Sequence, residues 1–490
     1  MATVGAYSDQ GTIVLRRDFR PTLIPRCSAC PGKHPPVPGK GPSNAKIMIV
    51  YDRPNGTDTK HKAPMKGQAG DELDQTYLRL AGLYRNDIYI TPMVKCWHER
   101  EYQDVRPSVA TLESCAVEHL CSEILTVDPE YLILAGADVC KLAGLNLNVE
   151  HGMPTYVTDY EKLYGYTGWI IPMYAPGLGL RETKYMIYLL DDWARFGRAM
   201  CGNYKYPHLH AEKIPQNYRL LTTCEEIEES LEDRTETYEH LALDTETDEN
   251  APFSIQYSTK PGVAYMFLVE PDLVSTFKLC LERFWQNKLT VHFAENDLED
   301  LHRLGIEIQS VDVVDTMREL YHLANQPQGL KAAVYRNLGY RMTTYIDTVE
   351  PYSRKALLQW IETAIQHVQD CWFYTEHKQL KTKVKVIHKP HESLAVLRRI
   401  ERKLHEEGSE YDPWQQPKFH GSEMKPRLFG RPWLSSLEND IGRMPRRSIV
   451  HVPIEEAVTY GCSDADFTGR LAVWLAEERK RIVKQEWKVE

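Results

Sequence analysis

The run Leu241-Ala242-Leu243-Asp244-Thr245-Glu246-Thr247 ends a short apolar stretch in two carboxylates one residue apart. Read as a strand, its alternation puts Asp244 and Glu246 on one face at the mouth of a sheet, close enough to hold a divalent cation between them. That is how a metal-dependent nuclease site begins, although a solvated strand end looks the same in isolation. Two later groups add weight. Asp297 falls in the first turn of a helix marked by Leu298, Leu301 and Leu304, where its charge would also complement the helix dipole. Tyr460 and Asp464 stand four residues apart in a helical stretch and share one face. A second set of reactive side chains, Cys27, Cys30, Cys96 and Cys115, begins with a Cys-x2-Cys turn. Four thiolates can hold a tetrahedral zinc or an iron-sulfur cluster, and spacing does not decide between them.

The elements that must position these residues follow from periodicity. Residues 45–51, 88–94 and 131–135 read as strands, and 70–83 and 108–125 as helices, which predicts a mostly parallel sheet covered on both faces. Periodicity is lost over 201–217, which is taken as a linker between a first domain (1–200) and a second (218–490). In the second, 218–223 reads as a strand and 225–231 as a helix; 252–257 and 263–268 continue the Asp244 strand as an antiparallel meander. The fold class is α/β throughout, a three-layer domain followed by one with a mixed sheet.

The chain has 490 residues, a net charge of −10 and eleven cysteines. The length suits two or three domains. The acidic balance means that a nucleic-acid surface has to be local or metal-assisted. An odd cysteine count scattered over a long chain argues against a disulfide framework. No run is long enough to cross a bilayer, and Met1-Ala2-Thr3-Val4-Gly5 does not open a signal peptide, so a cytoplasmic protein of a bacterium or a phage-infected host, with no membrane partner, is expected.

Cys27-Ser28-Ala29-Cys30, Val37-Pro38-Gly39-Lys40-Gly41, Gly67-Gln68-Ala69-Gly70 with Leu73-Asp74, and Val94-Lys95-Cys96 with the later Cys115 resemble the iron-sulfur uracil-DNA glycosylases over about residues 20–195. The resemblance implies that the four cysteines bind a [4Fe-4S] cluster, favoured on this ground over zinc. The active-site motifs depart from it. The first motif is Tyr51-Asp52-Arg53-Pro54-Asn55; Met65 stands for the base-stacking Phe, Pro92 for the base-reading Asn, and Ala175, before Pro176, for the His of the last motif. Pro92 has no side-chain hydrogen bond to offer a uracil edge, and Ala175 cannot stabilise a departing anion, so a glycosylase fold without base excision is expected, kept to bind DNA or a partner.

Asp-x-Glu on a strand, a later Asp opening a helix and Tyr-x3-Asp on the last helix resemble the DEDD 3′-5′ exonucleases of the tyrosine subtype, with a ribonuclease H-like fold. Asp315-Thr316-Met317, Leu330-Lys331 and Asn337-Leu338-Gly339 resemble that family too, while Phe293 departs from it. The resemblance implies that Asp244, Glu246, Asp297 and Asp464 ligate two Mg2+ or Mn2+ ions about 4 Å apart, which make hydroxide and neutralise the leaving oxygen. Tyr460 would orient the attacking water, and a single-stranded 3′ end would enter the site.

Residues 345–450 form an insertion with a helix near 355–368, basic residues Lys378, Lys381, Lys383, Lys385, Lys389, Arg398, Arg399, Arg402 and Lys403, and the aromatics Trp372, Phe373, Tyr374, Trp414, Phe419, Phe429 and Trp433. A groove for single-stranded DNA and a solvated helical face are both compatible with this composition. The order of domains resembles that of the N-terminal part of some phage family A DNA polymerases. The expectation is a DNA exonuclease, proofreading or processing in phage-type replication, which either serves a polymerase on a separate chain or works alone in repair or degradation; RNA stays open as a substrate. Alternatives are a bifunctional glycosylase and exonuclease, with Asp52 activating water, and a non-enzymatic polymerase accessory factor.

Overall fold

The computed structural model describes residues 34–100, 103–211, 215–232, 238–249, 251–323, 326–376, 390–405, 412–414 and 433–486. The chain divides into two compact units: Met1–Lys213 with Met317–Arg341 and Glu477–Glu490, and Ile214–Thr316 with Met342–Ala476.

In the first unit β1 (Ile47–Tyr51), β2 (Ile88–Pro92), β3 (Tyr131–Ala135), β4 (Thr155–Tyr160) and β5 (Tyr166–Met173) form a sheet ordered β2-β1-β3-β5-β4. All neighbours are parallel except β4 and β5. Every residue of β1 is buried, as a central parallel strand covered on both faces requires. Met48, Val50, Leu132 and Leu134 enter one core, and Ile47, Ile49, Ile133 and Trp193 the other. Both expected helices are present, each interrupted by a π turn, Leu73–Tyr77 and Ala116–Leu120.

The sequence reading assigns residues 317–341 to the second domain, whereas the structure gathers them into the first unit. The physical reason is Arg336, which the helix Leu330–Leu338 carries into a buried site where its guanidinium meets Asp192 at 2.7 Å and Asp191. Asp192, on α1 (Lys184–Met200), also accepts a 2.7 Å hydrogen bond from His151 Nδ1, and Arg195 pairs with Asp191 at 2.7 Å. Burial would raise the Asp192 carboxyl, but His151 and Arg336 hold it down to about 2. Part of the stretch read as a linker is packed as well: Tyr206 is buried with Met153 and Tyr335.

The second unit holds β6 (Asn217–Leu220), β7 (Leu241–Asp248), β8 (Ala251–Lys260), β9 (Val263–Leu268), β10 (Leu289–Val291) and β11 (Val313–Asp315), ordered β11-β10-β7-β8-β9-β6. β7, β8 and β9 are the antiparallel meander, and the outer pairings are parallel. The expected α/β class, a parallel-dominated sheet followed by a mixed one, holds.

Among the second unit's helices, α2 (Ala294–Arg303), α3 (Tyr345–Glu376) and α6 (Ile454–Glu486) carry residues of the candidate site, and α4 (Pro390–His405) and α5 (Leu434–Ile441) lie in the insertion. The insertion builds its own apolar core from Leu357, Ile361, Leu397, Ile400, Trp433 and Leu437. Trp433 is therefore a packing residue. Trp414 donates to the Pro445 carbonyl at 3.0 Å and lies under the Arg447 guanidinium. Lys378, Lys381, Lys383, Lys385, Lys389, Phe419 and Phe429 lie outside the described residues, as do the side chains of Trp372, Phe373 and Tyr374. No helix among the described residues is long and apolar enough to cross a membrane.

Candidate functional site

The first three residues of β7 are buried and its acidic half is mostly half-buried, so the strand runs out of the core at Asp244. Opposite it on β8, Gln256 pairs with Asp244 and Ser254 with Glu246. α6 crosses this face closely because Gly461, Ala465 and Gly469 recur every four residues; a Cβ at Gly461 would come 2.8 Å from Gln256, and one at Gly469 2.4 Å from Tyr238. Asp466 fixes the helix. Fully buried, it accepts hydrogen bonds from Tyr218 at 2.8 Å, the Gly262 amide at 3.0 Å and the Arg470 guanidinium.

This docking brings Asp244, Glu246 and Asp464 together, with carboxylate oxygens all within 4.8 Å of one another. Three like charges at that spacing repel unless a proton or cation sits among them, and hard oxygen donors suit a magnesium-type ion. The donor set therefore fits a possible acidic metal site. Tyr460 is buried beside it and hydrogen-bonded to Asp464. Burial, Asp464, Glu246 and Asp244 push its phenol far above the ordinary range, so the hydroxyl keeps its proton. Tyr345, the first residue of α3, meets the Tyr460 ring edge-on at 6.1 Å; burial, Glu246 and Asp248 push its hydroxyl up to about 12.

Asp297 is not among the three converging carboxylates. Buried in the first turn of α2, its Oδ1 accepts from the Thr245 amide at 3.0 Å and the Thr245 hydroxyl at 2.9 Å. The same hydroxyl lies 3.0 Å from Asp300 Oδ2. Burial, opposed by these Thr245 bonds, pushes the Asp297 carboxyl up to about 7. The start of α2 is held by Asp315, whose carboxylate accepts from the amides of Phe293 and Ala294 at 3.1 and 3.2 Å; Phe293 adopts φ 75° there. Sequence reasoning missed Thr245, Asp300, Asp466 and Tyr345. The four-residue spacing of Asp466 and Arg470 was a signal for one of them; for Tyr345 there was none.

The glycosylase-like positions collect at the carboxyl ends of the first sheet, where open α/β sheets bind ligands. Asp52 follows β1, Pro92 ends β2, and Ala175 caps the helix Pro176–Arg181 after β5. Asp52 accepts from the Val139 amide at 2.9 Å, and burial raises its carboxyl to about 6. A Cβ at Gly136, φ 151°, would strike that carboxylate at 2.4 Å. Arg53 is tied to Asp138 at 3.0 Å, and Arg106 holds the same carboxylate at 2.7 Å. Met65 is buried with φ 51°, its carbonyl accepting from Arg85 at 3.0 Å.

Cys27 and Cys30 lie outside the described residues. Cys115 is buried, and its Sγ accepts the Lys95 amide at 3.4 Å, which sets the chain at Cys96 against it. The Val37 amide donates to the Lys95 carbonyl at 2.7 Å, which places Val37 beside Cys96. A sulfur that accepts an amide hydrogen suits a metal-bound thiolate. Beneath it Lys95 is fully buried, 2.6 Å from both Thr91 and Glu123.

Residues 38–185 match the family model described as the uracil DNA glycosylase superfamily, so a domain of that superfamily lies in the first unit. The chain is 26% identical over 167 residues to a type-4 uracil-DNA glycosylase of Saccharolobus solfataricus, covering 34% of this chain and 76% of the relative. It is 32% identical over 117 residues to the type-4 enzyme of Pyrobaculum aerophilum, covering 23% and 57%. A DNA polymerase of Bacillus phage SP01 is 23% identical over 253 residues, covering 49% of this chain and 25% of the polymerase. That last match is longer than the glycosylase-like domain itself.

Proposed function

We propose that the second unit is a metal-dependent 3′-5′ exonuclease acting on the single-stranded 3′ end of DNA, and that the first is a glycosylase fold that binds DNA or a partner without excising bases. The observation that carries this reading is the convergence of Asp244, Glu246 and Asp464 within 4.8 Å beside the Tyr460 hydroxyl. The superfamily domain and the likeness to a phage polymerase support a DNA-processing role, and with it proofreading or end processing in phage-type replication.

Asp244, Glu246 and Asp464, with Asp297 as fourth donor, would hold two Mg2+ or Mn2+ ions, which when bound supply hydroxide and neutralise the leaving oxygen. The rest is done by the chain's own groups. Tyr460, kept protonated by its neighbours, is a fixed donor for the attacking water or a phosphate oxygen. Tyr345 and Tyr460 wall the site with two rings, and the Asp466–Arg470 pair keeps α6 from shifting. Cys27, Cys30, Cys96 and Cys115 would hold a [4Fe-4S] cluster, an organising element for the first unit.

The test is a single strand labelled at its 5′ end. A ladder of shortened products with Mg2+ or Mn2+, and none with a chelator, is expected; an intact strand under both conditions overturns the reading. One observation favours retained uracil excision, the Asp52 carboxyl raised to about 6 in a domain similar to type-4 enzymes. Cleavage of a uracil-containing oligonucleotide after hot alkali would establish that second reading.

A further inference from the structure

Thr245 lies between Asp244 and Glu246, and strand alternation turns its side chain to the other face of β7. It meets Asp297 twice, through its backbone amide at 3.0 Å and its hydroxyl at 2.9 Å, and both bonds fall on Oδ1. The second carboxylate oxygen of Asp297 is thereby the one that can turn to a cation. Asp297 and Thr245 are buried or half-buried, and Asp300 is buried, so water competes weakly for these bonds.

We propose that Thr245 is a positioning residue of the acidic site: it registers Asp297, which the converging trio lacks, to the Asp244–Glu246 pair, and Asp300 governs how firmly. The inference rests on the nuclease reading and deepens it. A hydroxyl has one hydrogen, yet Thr245 Oγ1 stands at 2.9 and 3.0 Å from two carboxylate oxygens. Asp300 therefore competes with Asp297 for it, while Arg303, 3.3 Å from Asp300 Oδ1, draws Asp300 the other way. In Asp300→Asn the amide can donate to Oγ1, which leaves the hydroxyl hydrogen wholly to Asp297. Removing the hydroxyl and removing its competitor should thus act in opposite directions, which a role in packing alone would not produce.

The experiment is a Mn2+ titration of the full chain, followed by the electron paramagnetic resonance of the free ion, with nuclease assays in parallel. The wild type is expected to bind two ions. Thr245→Val should keep one and weaken the other by roughly 10- to 100-fold, the usual effect of losing a group that orients a metal ligand. Thr245→Ser should restore both, and Asp300→Asn should bind the second ion as tightly as the wild type or more so. If Thr245→Val lowers the melting temperature, the Ser and Asn variants decide, and either one weakening the second ion tenfold overturns the proposal. Thr245→Val binding both ions like the wild type overturns it too, yet leaves the nuclease reading standing if the wild type still makes a ladder. A wild type that binds no Mn2+ overturns both.

Discussion

The two sheets end in edges with opposite histories of side-chain choice. At the carboxyl edge of the first stand Pro92 and Ala175, whose side chains neither donate nor accept, and Arg53, which is tied to Asp138. The edge of the second concentrates Asp244, Glu246 and Asp464 and sets a protonated phenol beside them. Both edges rest on well-packed cores, so packing does not distinguish the two sites. The difference lies in what the few half-buried groups at the strand ends can do: donate, accept or hold a cation. One edge ties Arg53 and Asp52 into bonds within the unit; the other crowds like charges that a proton or a cation would relieve.

The largest effect that would sharpen this contrast is in the scaffold of the first unit. Arg336→Met leaves Asp191 with Arg195 alone and Asp192 with His151 alone, and should destabilise that unit by about 3–5 kcal/mol, read as an earlier denaturant midpoint, with little change in the midpoint of the second. Next is Asp244→Ala, expected to cut the rate of 3′-end degradation by roughly a hundred- to a thousandfold while base release stays at background. Activity that survives this substitution would break the contrast outright. Tyr460→Phe removes only the donor and should slow degradation roughly tenfold, with folding and Mn2+ binding intact. Smallest is a pH effect at the first sheet's edge. Because folding raises the Asp52 carboxyl to about 6, the folded state binds the extra proton between the unfolded value near 4 and 6. Stability from this group is full below about 4 and declines as pH rises through 6. Asp52→Asn should flatten that part of a melting-temperature profile, and an unchanged slope would remove Asp52 from the account.

Much of this was legible in the chain. The buried strands 45–51 and 131–135 announce themselves by continuous apolar runs, and the meander after Asp244 by alternation. The acidic groups were nameable because helical and strand periods fix which side chains share a face. The convergence of Asp464 with the β7 pair followed only from the resemblance and not from periodicity, since it depends on how close α6 lies, and that is set by Gly461 and Gly469 meeting Gln256 and Tyr238.

What the order of residues determined by itself, then, is the identity of the reactive groups and the local element that carries each, because backbone periodicity and apolar patterning act over a few neighbours. Which of them meet was decided only by tertiary structure. Asp297 went to Thr245 and not into the trio, and Arg336 drew 317–341 into the first unit, because a buried charge must find its partner wherever the chain can bring one. Such pairings join residues 52 and 145 positions apart, a separation at which sequence spacing carries no geometric information.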